Sequence, residues 1–126
     1  MAPKYGCGLG ECGACTVLID ASPLAPAQCR WPRVGSKSVT TLEGLGTAET
    51  PHPVQQGFID EQAAQCGYCA NGMIMTLVAL FEREPDADEQ TIKKELAYNL
   101  CRCGTHLEIL RAAERARDLL AARRQA

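Results

Sequence analysis

Eight cysteines carry most of the chemistry open to this 126-residue chain, and they fall into two groups of four. The first group consists of Cys7, Cys12, Cys15 and Cys29. A C-x4-C-x2-C triple followed by a fourth cysteine from a separate segment is the plant-type spacing of a [2Fe–2S] cluster. Such a cluster needs backbone N–H groups near its sulfurs, and the glycines of residues 6–15 let the backbone approach closely. We therefore predict that these four cysteines hold one [2Fe–2S] cluster.

The second group consists of Cys66, Cys69, Cys101 and Cys103, which form a C-x2-C pair and a C-x-C pair. Each pair lies between two predicted helices, so the two pairs can meet at one end of a four-helix bundle. The eight cysteines then make two complete four-ligand sites with none left over. This arrangement favours a second iron–sulfur cluster.

Disulfides and structural zinc are the alternative uses of these cysteines. A disulfide framework is less favoured because we expect no secretory signal at the N-terminus. Structural zinc sites usually pair two C-x2–4-C knuckles, and neither group contains two of them. Zinc nevertheless stays open as the alternative at each site.

The elements that must position the first group are loops and short strands. Residues 16–19 and 38–41 are β-branched and apolar, which favours strands, and residues 20–23 are typical of a turn. Pro23, Pro26 and Pro32 confine the segment between them to a loop or an edge strand. Residues 47–53 form the predicted linker, in which His52 stands between two prolines and is expected to be solvated.

Four helical patterns follow the linker. Val54 and Phe58 mark a short first helix. Residues 73–82 are apolar nearly all round, which predicts a buried second helix, with Asn71 as a candidate N-cap. Pro85 should end this second helix.

The third predicted helix is capped by Asp86 or Asp88, and its apolar residues Ile92, Leu96 and Leu100 recur every four positions. The fourth starts at Thr105 and has one apolar stripe. That stripe consists of Ile109, Ala112, Ala113, Ala116, Leu119 and Leu120. The arginines at 111, 115, 123 and 124 lie off the stripe and are expected to face solvent.

Composition excludes some classes of function. Thirteen Lys and Arg against 15 Asp and Glu give a net charge of −2, which argues against a nucleic-acid partner. No apolar run approaches the roughly 18 residues of a membrane span. We therefore expect a cytoplasmic protein, unless a partner directs the complex to the periplasm or to a membrane.

The stretches GCGLGECGACTVLID, VTTLEGL, QCGYCANGMIM and NLCRCGTH stand in this order along the chain. Together they resemble the small iron–sulfur subunit of molybdenum hydroxylases, the xanthine dehydrogenase and aldehyde oxidoreductase family. The resemblance runs from about Tyr5 to Ala116. CANGM combined with CRCGTH is more similar to the nicotinate and isoquinoline oxidoreductase branch. Many family members have proline where this chain has Asn71.

The resemblance implies an α+β fold with two domains. Residues 1–46 would form a plant-ferredoxin-like β-grasp domain, and residues 47–126 a four-helix [2Fe–2S]-binding domain. The family has two strands and a helix ahead of the cluster loop, which this chain lacks. Val17 and Ile19 are therefore expected to lose cover, and Met1 to mark either a truncation or a gap that a partner covers.

The resemblance also implies the function. A large partner subunit would carry a molybdenum–pterin cofactor and hydroxylate an N-heterocycle or an aldehyde. Electrons would pass first to the cluster of the second cysteine group, then to that of the first, and finally to a flavin subunit or a cytochrome. Gln65 and Cys103 would contact the pterin by hydrogen bonds. The rival hypotheses are a free-standing two-cluster electron carrier resembling a ferredoxin and a zinc-stabilised interaction module.

Overall fold

A computed structural model describes residues 2–24 and 34–126 of the chain. Cys29, Pro26 and Pro32, on which two of the predictions above depend, lie outside the described residues. In chain order the described part forms three short strands and then four α-helices. This order agrees with the predicted α+β class.

The strands form one small antiparallel sheet of order β2-β1-β3. They are β1 (Val17–Ile19), β2 (Ser22–Leu24) and β3 (Val39–Thr40). Asp20 and Ala21 both have positive φ, 49° and 65°, as the two-residue turn of a tight hairpin requires. The predicted turn over 20–23 is therefore only two residues long. Pro23 lies on an edge strand, as its missing N–H requires.

The four predicted helices are present as α1 (Pro53–Asp60), α2 (Ala70–Arg83), α3 (Glu89–Glu95) and α4 (His106–Gln125). The third helix is shorter than predicted, because the chain passes at Leu96–Tyr98 into a 3₁₀ turn. Leu100 consequently lies outside the helix and is 58% exposed. Within the described residues, no helix is both long and apolar enough to cross a membrane.

The helix starts confirm one predicted cap and correct two other predictions. Asp88 caps α3 and accepts a hydrogen bond from the backbone N–H of Thr91. His52 is half-buried rather than solvated, and its Nδ1 accepts from Val54 N at the start of α1. Asn71 does not cap α2, which has Cys69 at its N-cap position. Asn71 instead lies buried inside the first turn of that helix.

The core lies around α2, in which residues 71–81 are all buried. The stripe of α4 faces this core through Ile109 and the alanines at 112, 113 and 116, while the leucines at its far end are only partly buried. Gly57 lets α1 approach α4 closely, because a Cβ there would come within 2.5 Å of the Ala112 carbonyl oxygen. The predicted stripe and its buried α2 partner are thus confirmed.

The sheet shares this core. Leu18 belongs to the same buried cluster as the helices, and Val17 is only 5% exposed. The expectation that Val17 loses its cover is therefore wrong, and Ile19 is partly buried. The β-grasp arrangement of residues 1–46 stays a prediction.

Candidate metal centres

The first cysteine loop, residues 6–15, directs backbone N–H groups at its own sulfurs. Cys7 Sγ accepts from Leu9 N at 3.3 Å and from Glu11 N at 3.2 Å, and Cys12 Sγ accepts from Cys7 N at 3.4 Å. The backbone N–H groups of Leu9, Glu11 and Cys12 lower the pKa of the Cys7 thiol to about 6. The loop therefore stabilises the thiolate, which is the form that binds metal.

Glycine makes this close wrapping possible at two points. A Cβ on Gly6 would lie 2.5 Å from Cys12 Sγ, so only glycine fits beside that sulfur. Gly13 has a φ of +73°, and a Cβ there would strike the Asn99 side chain. The loop thus leaves space beside its sulfurs that bulkier side chains would fill, as an iron–sulfur site needs.

The second cysteine group comes together from the two interhelical connections, as predicted. Cys66 Sγ and Cys103 Sγ lie 3.6 Å apart. Two thiolates on one tetrahedral ion with metal–sulfur bonds of about 2.3 Å would lie roughly 3.8 Å apart. Cys69 and Cys101 form the other pair, in which each side chain shifts the pKa of the other.

Three thiols of this second group have shifted pKa values. Burial, together with the Cys101 side chain, raises the pKa of Cys69 to about 12. Burial works in the same direction at Cys101, but hydrogen bonds from the Thr105 hydroxyl and backbone outweigh it and lower its pKa to about 6. Hydrogen bonds from Tyr68 N and from Cys103 lower the pKa of Cys66. One thiol in each pair thus has a lowered pKa, which favours the thiolate that binds metal, and metal binding would displace the remaining protons.

Two kinds of metal site differ in how they arrange four cysteine ligands. Among the residues that the structure describes, no three His, Cys, Asp or Glu side chains converge closely enough to bind a single ion. A structural zinc site needs four ligands around one point, whereas a two-iron cluster divides its cysteines between its irons. The pairing of Cys66 with Cys103 and of Cys69 with Cys101 is an arrangement that a [2Fe–2S] cluster can use.

The two cysteine groups border the same cleft, which has a volume of about 490 Å³. Cys12 lines it from the first group, and Cys66, Cys69 and Cys101 line it from the second. The backbone N–H of Leu100 donates to the carbonyl oxygen of Cys12 over 3.0 Å. One hydrogen bond thus joins the peptide of a candidate ligand in the first group to the residue that precedes Cys101.

A second link joins the two loops at their outer edge. The Tyr68 hydroxyl donates to the Tyr5 carbonyl oxygen over 2.6 Å, and the Lys4 ammonium lies 5.8 Å from the centre of the Tyr68 ring. This cation–π contact and the hydrogen bond hold the Cys66–Cys69 connection against the start of the first cysteine loop.

Gln65 and Cys103, the residues implied to contact a pterin, are both exposed. Cys103 lies against Cys66, the residue that directly follows Gln65. His106 begins α4, lines the cleft between the cysteine groups, and is exposed as expected of a surface histidine. The pterin contact itself stays a prediction.

Sequence reasoning missed two asparagines that hold the first cysteine loop against the helices. Asn71 Nδ2 donates to the carbonyl oxygens of Ala14 and Thr16, and Asn99 packs over Gly13. For Asn71, the signal in the sequence is an asparagine followed by glycine at the start of an otherwise apolar helix. Local sequence does not reveal its role, because its hydrogen-bond partners lie more than fifty residues away along the chain.

Comparisons with known proteins agree with this geometry. The profile of the [2Fe-2S] binding domain family matches residues 41–114. A nicotinate dehydrogenase subunit of Pseudomonas putida is 63% identical over 118 residues, which are 92% of this chain and 74% of that protein. The alpha subunit of isoquinoline 1-oxidoreductase from Brevundimonas diminuta is 46% identical over 115 residues, 90% of this chain and 74% of that protein.

Two solved structures share the fold of this chain. A chain of quinoline 2-oxidoreductase from Pseudomonas putida 86 matches with a TM-score of 0.87 and 30% identity, over 95% of this chain and 75% of its own length. Aldehyde oxidoreductase from Desulfovibrio gigas matches with a TM-score of 0.91 and 29% identity, over 96% of this chain and 14% of its own length. The small sheet and four helices therefore match the corresponding part of these oxidoreductases.

Proposed function

Because the chain belongs to the family of [2Fe–2S] iron–sulfur subunits of molybdenum hydroxylases, we propose that it carries electrons through two such clusters. The donor is the molybdenum–pterin site of a large partner subunit, and the acceptor is a flavin subunit or a cytochrome. Catalysis belongs to the whole complex, in which this chain transfers electrons and the partner holds the substrate.

The ligands follow from the two groups. One cluster is held by Cys7, Cys12, Cys15 and Cys29, and the other by Cys66, Cys69, Cys101 and Cys103. Once bound, each cluster supplies a one-electron redox couple. The chain's own contribution is to stabilise thiolates, through the N–H groups that donate to Cys7 and through the Thr105 hydroxyl beside Cys101.

The observation that carries this proposal is the hydrogen bond from Leu100 N to Cys12 O at 3.0 Å. It connects the two candidate ligand sets through the backbone, with the side chains of both sets on a common cleft. Electron transfer becomes rapid only over short distances, so two sites held this closely suit a relay. A pair of independent structural metal sites would have no need of such a link.

The exposure of the cysteines supports the direction of transfer that the family resemblance implies. Cys66 and Cys103 are exposed, whereas the three described cysteines of the first group are partly buried. We place the molybdenum subunit on the exposed side, with Gln65 and Cys103 forming hydrogen bonds to the pterin. Electrons then reach the second cysteine group first and leave from the first group.

The relatives named for nicotinate and isoquinoline support an N-heterocycle as the substrate class of the complex, with an aldehyde as the alternative. We also propose two domains, residues 1–46 and 47–126, each with one cluster. We place the complex in the cytoplasm, unless a partner directs it to the periplasm or to a membrane.

Copurification tests the proposal directly. A tagged chain expressed in its native host should bring down a large subunit together with molybdenum, and the complex should be reduced by its heterocyclic substrate. The matched control carries Cys66→Ser, which should remove one cluster and prevent that reduction. A chain that purifies alone with both clusters would instead be a free-standing carrier, and a colourless chain with stoichiometric zinc would contradict any redox role.

A further inference from the structure

We propose that Asn71 is a positioning residue, whose side-chain amide fastens residues 14–16 to helix α2 and so sets the separation of the two clusters. The inference rests on the proposed two-cluster function. Asn71 lies in the first turn of α2, two residues after Cys69, and is only 3% exposed. It is thus attached to the second cysteine group while it reaches across to the first.

Of the two polar atoms of the Asn71 amide, the nitrogen has hydrogen-bond partners among the described residues and the oxygen has none. Its Nδ2 donates to Ala14 O at 2.7 Å and to Thr16 O at 3.3 Å. Its Oδ1 is buried and has no partner within the described part of the chain. Since both carbonyl oxygens can only accept, the nitrogen must be the atom that faces them.

A buried acceptor without a partner destabilises the folded state, so this side chain is a poor choice for packing alone. An apolar residue of similar size would avoid the unsatisfied oxygen and still fill the space. What only the amide supplies is a donor placed between two backbone carbonyls. The role of Asn71 is therefore to supply this donor, which fixes the position of residues 14–16.

Position 14 is critical because it adjoins Cys15. The Ala14 carbonyl also accepts from Lys4 N at 3.2 Å, so the amide of Asn71 completes a junction between the entry and the exit of the first cysteine loop. Asn71 is therefore bonded directly to the peptide segment that carries Cys15, while its own helix begins at Cys69. Loss of the donor should let the first loop shift against the second cysteine group without removing any ligand.

The test compares intact complexes that carry Asn71→Ala, Asn71→Leu or Thr76→Val with the unaltered complex. Leucine keeps the branched shape and the number of side-chain heavy atoms but lacks the donor, so it should load clusters even if the alanine variant does not. Thr76 is a buried polar residue of the same helix. Within the described part of the chain, it forms no hydrogen bond to the first cysteine loop. Its valine variant therefore controls for a general change in α2.

Two measurements report on position rather than on folding. The first is the magnetic splitting between the two reduced clusters in electron paramagnetic resonance, which depends steeply on their separation. The second is hydrogen exchange at the Leu100 amide, whose acceptor is Cys12 O. We expect both Asn71 variants to lose or broaden the splitting and to lower protection of Leu100 roughly tenfold, the scale of one or two neutral hydrogen bonds. The Thr76→Val complex should match the unaltered one in both measurements.

Unchanged splitting and unchanged Leu100 protection in a fully loaded Asn71 variant would overturn the inference and leave the two-cluster function intact. Loss of both clusters in both Asn71 variants would also overturn it, because Asn71 would then serve folding rather than geometry. A single cluster in the unaltered complex would overturn the two-cluster function itself, and the positioning role with it.

Discussion

Gly72 lies directly against the carbonyl oxygen of Gly13, so the first turn of α2 touches the backbone of the first cysteine loop. A Cβ on Gly72 would overlap that oxygen, and the Asn99 side chain lies beside both glycines. This glycine-to-glycine contact brings the two candidate cluster sites together, and the first prediction depends on it.

Replacing Gly72 by alanine should force the first cysteine loop away from α2. We expect the free energy of unfolding to fall by about 1–3 kcal/mol, the usual effect of overpacking a close contact. Urea unfolding of the purified chain measures this. The control is Gly44→Ala, where the nearest atom is a Thr40 methyl group at 3.2 Å that can yield. Equal stability of the two variants would show that the Gly13–Gly72 contact is not tight.

Iron analysis of the anaerobically purified complex should give four irons and four sulfides per chain, as two spectroscopically distinct [2Fe–2S] clusters. The reason is that the chain has two complete groups of four cysteines. Removing iron with a chelator should bleach the visible absorption and release both clusters. A value near two irons, or stoichiometric zinc, would contradict the assignment of one of the groups.

Cys103→Ser and Cys12→Ser should have different effects on electron flow. Loss of Cys103 damages the cluster nearest the exposed face and should slow the reduction of the whole chain by substrate. Loss of Cys12 should leave the cluster of the second cysteine group reducible but block the exit of electrons. Rapid-freeze spectroscopy after substrate addition distinguishes the two.

Chemical reduction with dithionite provides the control for the cysteine variants, because any assembled cluster should still accept electrons from it. The proposed order would be wrong if Cys12→Ser prevented substrate from reducing either cluster while both remained assembled and reducible by dithionite.

Stability should depend on pH through His52. Burial and the positive charge of Arg123 lower its pKa below the ordinary value of 6.5, and its Nδ1 must stay unprotonated to accept from Val54 N. Below about pH 6.5 the unfolded chain takes up a proton that the folded chain resists. The stabilisation is therefore complete above pH 6.5 and is lost as the pH falls through the lowered value.

His52→Asn isolates this effect, because asparagine keeps a capping acceptor and does not titrate. The difference in melting temperature between the two chains should change between pH 7.5 and pH 5.5, with the unaltered chain losing more. A constant difference over that range would mean that the His52 pKa is the same in the folded and unfolded chain.

The features that depend on local spacing could be predicted from the sequence alone. The four helices follow from apolar periodicity, and the grouping of the cysteines follows from their intervals. Cys66 and Cys103 could be predicted to meet because both lie in connections at the same end of a bundle. These properties need only neighbours a few residues away, or one simple rule of helix packing.

How the two cysteine groups are joined could be learned only from the folded chain. Asn71 looked like a helix cap because its local sequence suits a cap, yet its amide binds Ala14 and Thr16 far upstream. Leu100 looked like the last apolar residue of a helix, yet it leaves the helix and donates to Cys12. In both cases the partner is a backbone carbonyl, which every residue possesses, so no side-chain pattern marks it. Such contacts are selected by where the folded chain places its peptide groups, and that placement exists only after the helices have packed.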